Sequence, residues 1–315
     1  MRRNIGHLRQ LQSLPVTHKE VLTQARIRDW YTHCRGNVYI SFSGGKDSTV
    51  LLDIARKMYP NIPAVFIDTG LEYPEIREFV KTKENITWVK PKKSFREVIL
   101  NNGYPVVSKE VSKAVREARL NYNYRLLQFN GQSPVMNLQK YKYLIDSPFK
   151  ISEQCCNVLK KNPAKEYERQ SGNFPITATM ASESRLRSLA WITNGCNAYN
   201  ASRKISNPMS FWTEQDVLEY LYTKNLAISS IYGNVVKEIV TPDLFGQDEV
   251  TYKTTGMTRT GCMFCMFGVS FDKTPNRFQR MKVTHTKLYD YCFKPVEHGG
   301  LGLGCVLDFM GVKYD

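Results

Sequence analysis

Apolar positions along the first third of the chain switch between two periods. From 17 to 34 they recur at helical spacing (Val21, Leu22, Ala25, Ile27, Trp30), and Gly36 ends the pattern. Asn37-Val38-Tyr39-Ile40-Ser41-Phe42 is a short β-branched and aromatic run, which predicts a buried strand. Helical periodicity returns from Ser48 to Met58, and Pro63-Ala64-Val65-Phe66-Ile67-Asp68 predicts a second strand. A helix with Pro74 in its first turn runs through Val80, and Ile86-Thr87-Trp88-Val89 makes a third strand. Strand, helix, strand, helix, strand at this spacing predicts right-handed crossovers and a parallel sheet.

Farther on the pattern predicts one long basic helix over 106–128, irregular chain over 129–150 and a strand at Pro175-Ile176-Thr177-Ala178-Thr179. A helix from Ser182 to Trp191 follows, then another capped by Thr213 with Glu214 and Asp216 in its first turn. Beyond about 226 the chain turns loop-rich, with glycines at 256, 261, 268, 299, 300, 302 and 304 and no internal repeat. The expected fold is therefore α/β, a twisted parallel sheet with helices on both faces. The expected division is a nucleotide-binding domain over 1–225 and a loop-rich, cysteine-containing region over 226–315 packed on it.

The chemistry concentrates at the turn after the first strand. A strand ending in Ser41-Phe42-Ser43 leads through Gly44-Gly45 to Lys46-Asp47-Ser48, which open a helix. Glycines allow successive N–H groups to face one anion, the helix start adds partial positive charge, and the Ser43 and Ser48 hydroxyls can donate. Lys46 offsets phosphate charge, and Asp47 suits a Mg²⁺ ion or a backbone turn. The spacing is not that of a Walker A loop.

Ser43–Ser48 resembles the PP-loop of the ATP-pyrophosphatase superfamily, whose fold is the adenine nucleotide alpha-hydrolase-like sheet. Phe66-Ile67-Asp68-Thr69-Gly70 with Pro74-Glu75 narrows the resemblance to the phosphoadenosine phosphosulfate (PAPS) reductase family. Glu183-Ser184 with Arg187, and Pro208 with Trp212-Thr213 and Asp216-Val217, extend it over most of 37–292. The resemblance implies that the loop binds phosphate or pyrophosphate, with Lys46, Asp47 and Ser48 in the chemistry. It also implies that Asp68, Thr69 and Gly70 line the adenosine pocket, with Glu183 nearby. Thr179-Met180-Ala181 departs from the Gly-hydrophobic-Arg segment of many relatives, which leaves that arginine's anion contact to Arg185 or Arg187.

Eight cysteines stand at 34, 155, 156, 196, 262, 265, 292 and 305. No apolar segment follows the basic start Met1-Arg2-Arg3, so no secretory leader is expected and the cytoplasm is the default compartment. A disulfide framework is not expected in that reducing setting, where clustered cysteines bind metal or do redox chemistry. Adjacent cysteines are awkward for a tetrahedral Zn²⁺ but suit the larger [4Fe–4S] cube, and a Cys-x-x-Cys pair presents both sulfurs to one centre. Cys155-Cys156 with Cys262 and Cys265 resembles the cluster-binding set of adenylylsulfate (APS) reductases and of some sulfur-transfer relatives. That resemblance assigns these four as ligands of a [4Fe–4S] cluster; zinc or a purely structural set of thiols are the alternatives. Lys160 and Lys161 would lie near the cluster.

Sulfonucleotide reductases of this kind end in a Glu-Cys-Gly-hydrophobic-His segment whose thiolate attacks sulfur. Here the tail is Glu297-His298-Gly299-Gly300-Leu301-Gly302-Leu303-Gly304-Cys305, so Cys305 is expected to be an ordinary buried cysteine. Cys196 is a second candidate acceptor thiol with less context. Two enzymatic readings follow: ATP-dependent adenylation with pyrophosphate release coupled to sulfur transfer (a transferase using Mg·ATP), or an APS/PAPS reductase (an oxidoreductase). A non-catalytic nucleotide-binding module is the third.

A net charge of +15, from 44 Lys and Arg against 29 Asp and Glu, makes nucleic acid a candidate partner. Lys109, Lys113, Arg116 and Arg119 with Tyr122 and Tyr124, and the cluster Lys90, Lys92, Lys93 and Arg96, are where such a groove would form; a solvated helix face has the same signature. No apolar run approaches the roughly 20 residues of a membrane span, so no membrane partner is expected. A sulfur- or electron-donor protein and an oligomeric state stay open.

Overall fold

The computed structural model describes residues 3–240 and 249–315. Its contacts divide the chain into two units: 1–68, 72–89 and 164–260 in the first, and 69–71, 90–163 and 261–315 in the second. A single cut after 225 does not reproduce this division, because the segment 90–163 groups with the C-terminal residues.

The first unit is built on a six-stranded sheet of order β3-β2-β1-β5-β7-β6. Its strands are β1 (Val38–Ser41), β2 (Ala64–Ile67), β3 (Ile86–Val89), β5 (Phe174–Ile176), β6 (Asn197–Ala198) and β7 (Ile205–Ser206). All neighbours run parallel except β6, which pairs antiparallel with β7 at the edge. The central strands are near-continuous apolar runs, as strands covered on both faces must be, and Val38, Tyr39, Ile40, Ala64, Val65 and Phe66 are buried. The helices are α1 (Ile5–Gln12), α2 (Val16–His33), α3 (Lys46–Met58), α4 (Pro74–Lys81), α8 (Asn162–Ser171, all but its first two residues in this unit), α9 (Arg185–Asn194) and α10 (Glu214–Thr223). From β1 the order steps through β2 to β3 on one side and through β5 on the other. Right-handed crossovers in opposite directions put helices on opposite faces, and the strand order reverses between β1 and β5, the kind of point where open α/β sheets place ligands. Helices α2, α3 and α10 pack on one another, pinned by the buried Lys19 Nζ, 2.6 Å from Asp216 Oδ2 and 2.6 Å from the Gln12 carbonyl.

The chain expected to be loop-rich after 226 instead forms an antiparallel hairpin of β8 (Val235–Val240) and β9 (Glu249–Thr254). Strands β6 and β7 also escape the sequence pattern, because two-residue strands carry no readable period.

The second unit contains α5 (Phe95–Asn102), β4 (Val106–Val107), α6 (Lys109–Ala118), α7 (Asn123–Phe129), β10 (Met266–Phe267), α11 (Arg277–Thr284), α12 (Thr286–Phe293) and α13 (Leu303–Phe309). The single helix expected over 106–128 is corrected here: Val106 and Val107 pair in parallel with Met266 and Phe267, and two helices follow. Ser108 caps α6 by accepting the Val111 N–H, and Asn121, in the left-handed region at φ 59°, separates α6 from α7. The basic residues of this stretch are largely committed to the fold. The Arg119 guanidinium donates to the carbonyls of Leu144, Ile145, Ser147 and Phe149, which organises the irregular segment before 150. Arg116 makes a two-pronged bond to Glu153, Tyr124 donates to Glu117, and Arg96 donates to the carbonyls of Val296 and Gly300.

Candidate functional site

In the first unit the turn after β1 has the form an anion site requires. Gly44 sits at φ 72°, and a Cβ there would lie 2.8 Å from both Ile76 Cγ2 and Val80 Cγ2 of α4. Only glycine meets both conditions, so the turn packs directly on α4 at Gly44. The loop is braced internally: Ser43 N–H donates to Ser48 Oγ at 3.2 Å, and the Ser48 and Thr49 hydroxyls each donate to the Gly45 carbonyl at 3.0 Å. Gly45 is the N-cap of α3 and makes no side-chain cap; the first N–H groups of that helix have no intrahelical acceptor, and that of Lys46 turns to the Tyr232 hydroxyl. That combination of orphan donors and helix dipole attracts phosphate.

Around the loop stand three cations and three carboxylates. Lys46 is buried, its Nζ 3.2 Å from Glu214 Oε1 and 5.5 Å from the centroid of the Tyr232 ring. Arg259 Nη2 lies 3.6 Å from Glu214 Oε2, and Arg187 pairs with Glu183, whose carboxylate also accepts the Met180 N–H at 3.0 Å. Burial raises the pKa of Asp47; Lys46 opposes the shift, Glu214 adds to it, and Arg259 and Arg187 oppose it more weakly. Tyr232, buried and bonded at 2.8 Å to Thr260 Oγ1, closes the side of the turn next to Gly45.

Of the residues singled out from sequence, Ser41 ends β1, Ser43, Gly44, Gly45, Lys46, Asp47 and Ser48 form the turn and helix start that follow, and Glu183 and Arg187 belong to the same unit. Of the two arginines expected near the anion, Arg187 acts on Asp47, while Arg185 is exposed at the start of α9. Asp68 is buried at the end of β2 and accepts from Arg77 Nη2 at 2.9 Å. Thr69 and Gly70, which follow it directly, belong to the second unit. Sequence reasoning missed Glu214, Tyr232, Arg259 and Thr260 as neighbours of the loop. No local motif marks them, because Lys46 and Glu214 are 168 positions apart.

In the second unit Cys155, Cys156, Cys262 and Cys265 line one cavity together with Leu71, Phe95, Leu159 and Lys160. Cys155 and Cys156 open a π-helical turn (Asn157–Lys161), and Cys265 N–H bonds the Cys262 carbonyl at 3.0 Å, which closes the Cys-x-x-Cys turn. Met263 N–H donates to the Leu71 carbonyl at 2.9 Å, so the segment after Gly70 is tied to the cysteine turn. The Cys155 thiol donates to Cys156 Sγ at 3.9 Å; that bond, with Lys109 and Lys160 nearby, holds the Cys156 thiol below its ordinary pKa. Burial pushes the Cys265 thiol up to about 11, with Cys262 adding to the rise. Among the described residues no three His, Cys, Asp or Glu side chains converge closely enough to hold a single metal ion.

Two further thiols were candidates. Cys305 is exposed on α13 rather than buried as expected, because it sits on the outer side of that short helix. Its thiol donates to the Gly302 carbonyl at 3.0 Å, and partial burial of the sulfur raises its pKa, the opposite of what an attacking thiolate needs. Cys196 is buried, and burial raises its pKa as well. No helix among the described residues is long and apolar enough to cross a membrane.

An uncharacterised protein of Methanocaldococcus jannaschii is 24% identical over 273 residues, which is 84% of this chain and 49% of that protein, so the chain spans about half its length. Sulfate adenylyltransferase subunit 2 of Geotalea uraniireducens is 24% identical over 79% of this chain and 83% of its own length, and that of Shewanella frigidimarina is 25% identical over 76% and 71%. A solved PAPS reductase from Candida auris, in a phosphate complex, superposes with a TM-score of 0.38 at 16% identity, covering 73% of this chain and 91% of that one. The profile of the phosphoadenosine phosphosulfate reductase domain matches residues 37–105 and 92–266, from the first strand through the glycine turn to the second cysteine pair. A match spanning the phosphate turn and all four clustered cysteines shows that the chain belongs to the phosphoadenosine phosphosulfate reductase domain family.

Proposed function

We propose that the chain is an enzyme of sulfur metabolism that binds ATP at residues 43–48 and transfers its adenylyl group to an acceptor with release of pyrophosphate. The observation that carries this reading is the Gly44-Gly45 turn packed on α4, whose helix N-terminus stands beside Lys46 and Asp47. Two relatives bear the name of a sulfate adenylyltransferase subunit, which favours adenylyl transfer over reduction. The tail argues the same way, since Cys305 ionises less readily than a free thiol.

In this reading the α3 amides and Lys46 hold the phosphates that leave. An acceptor oxyanion attacks the α-phosphorus, the bond from that phosphorus to the bridging oxygen breaks, and pyrophosphate departs with the bond's electron pair. The donors around the loop stabilise the charge that grows on the leaving group. Ser43 and Ser48 keep the turn rigid, and Arg187 adds positive potential. Mg²⁺ would arrive on the nucleotide's own oxygens, neutralising part of their charge, with Asp47 as the protein carboxylate suited to it.

The four thiols of the second unit fit a [4Fe–4S] cluster by donor type and number, and the cations Lys109 and Lys160 beside Cys156 suit a negatively charged thiolate cage. When bound, such a cluster would supply electron or sulfur handling. A single Zn²⁺ fits less well, because no three of these thiols converge on one point, and iron and zinc content tests the choice.

The deciding experiment incubates iron-loaded protein with ATP and, separately, with APS and PAPS. Pyrophosphate release without sulfite is the expected result. Thiol-dependent sulfite would establish a reductase instead; neither product, with tight DNA or RNA binding, would replace both enzymatic readings by a nucleotide-binding module.

A further inference from the structure

Besides Lys46 and Arg187, the phosphate turn has a third cation, Arg259, that no motif identifies. Arg259 follows β9 on a loop fixed at both ends. At one end the Gln215 side chain exchanges two bonds with Tyr252, Nε2 donating to the carbonyl at 3.0 Å and Oε1 accepting the N–H at 2.8 Å. Thr254 Oγ1 donates to the Met257 carbonyl at 3.0 Å, and Thr260 is bonded to Tyr232 at the other end. Between these anchors the Arg259 side chain is 63% exposed and is held by Glu214 at 3.6 Å. The other oxygen of Glu214 takes Lys46, so one carboxylate bridges the buried lysine of the phosphate turn and the exposed arginine.

Glu214 is the first residue of α10, a helix start locked by the reciprocal capping of Thr213 and Asp216. The backbone there is fixed, and the Glu214 side chain, 39% exposed, can swing away. A carboxylate bridging Lys46 and Arg259 cannot share those cations with a polyphosphate, because like charges at that separation repel strongly. An arginine recognises phosphate through a planar fork of donors and holds its charge throughout.

We infer that Arg259 is a further phosphate-binding cation for the part of the nucleotide beyond its α-phosphate, and that Glu214 is a placeholder carboxylate which the nucleotide displaces from Lys46 and Arg259. The inference rests on the proposal that residues 43–48 receive a nucleotide. It makes Glu214 an internal competitor: the site is closed on itself when empty, and ligands lacking the outer phosphates gain nothing from opening it. Selectivity for longer phosphate chains follows from that.

Calorimetric titration of the full chain with ATP and with AMP tests this. For Arg259→Ala the Kd for ATP rises about ten- to a hundredfold, as for loss of a charge-assisted bond, while that for AMP changes by less than about twofold. For Glu214→Gln the Kd for ATP falls about three- to fivefold, the worth of a partly exposed ion pair, and AMP is again unaffected. The double variant loses that gain. Equal effects of Arg259→Ala on ATP and AMP would overturn the assignment of the arginine, and weaker ATP binding in Glu214→Gln would show that Glu214 only positions Lys46. Wild-type protein that binds neither nucleotide would remove the underlying reading as well, whereas intact binding that ignores both substitutions sinks this inference alone.

Discussion

Replacing Gly44 by alanine tests whether the shape of the phosphate turn is imposed by α4. Two costs add at this position. A non-glycine residue in the left-handed region at φ 72° costs about 1–2 kcal/mol. The new Cβ would also lie 2.8 Å from Ile76 Cγ2 and from Val80 Cγ2, and overpacking of this kind costs about 1–3 kcal/mol. Gly44→Ala is therefore expected to lower stability by about 2–5 kcal/mol and, because relief means lifting the turn off α4, to weaken ATP binding more than about tenfold. Gly172 provides the internal control: its φ is also 72°, yet nothing lies within 4 Å of where its Cβ would stand. Gly172→Ala carries the backbone cost alone, about 1–2 kcal/mol, and leaves nucleotide binding unchanged. Urea unfolding gives the two stabilities and calorimetry the two affinities. Adding Val80→Ala to Gly44→Ala should restore part of the binding by making room for the methyl group. Gly44→Ala and Gly172→Ala with equal stabilities and equal affinities would refute the claim that packing on α4 shapes the turn.

Other expectations follow from single groups. Asp47→Asn should abolish turnover yet raise the melting temperature at neutral pH: burial raises the native pKa above the ordinary 3.8, so stability falls as pH rises from there through the native value, and asparagine removes that loss. Thermal melts of both proteins from pH 4 to 8 check the sign, and a lower melting temperature for the variant throughout would contradict it. Cys262→Ser is expected to abolish the visible absorption and the iron content of anaerobically purified protein; full iron retention would remove Cys262 from the ligand set. Arg119→Lys should destabilise the second unit by about 2–4 kcal/mol without changing salt-dependent DNA binding, since a single ammonium cannot satisfy four carbonyls of the segment before 150. Cys305→Ser is expected to leave pyrophosphate release unchanged; loss of product would reinstate the tail thiol.

The half of the molecule legible from residue order is the half whose determinants are local. Val38–Ser41, the two glycines and the start of α3 lie within a dozen positions, so strand, turn and helix N-terminus could be read together with the anion they suit. The long helix expected over 106–128 failed for a local reason of its own: amphipathic spacing runs on across Asn121, while the backbone there turns left-handed and the preceding valines pair with a strand 160 positions later. Hairpin β8–β9 was hidden among glycines, because its stability comes from cross-strand pairing and from the Gln215–Tyr252 bonds rather than from its own period.

Residue order also supplied the identity of the four cysteines, but only the tertiary structure brings Cys155 and Cys156 to the cavity lined by Cys262 and Cys265. The same holds for the setting of Lys46. Its partners Glu214, Tyr232 and Arg259 come from segments more than 160 positions away, and a carboxylate recruited over that distance leaves no mark at either place in the chain. Local periodicity and turn chemistry determine which elements form and where a turn suited to an anion lies; which charges surround that turn depends on loop closures that the pattern of neighbouring residues does not encode.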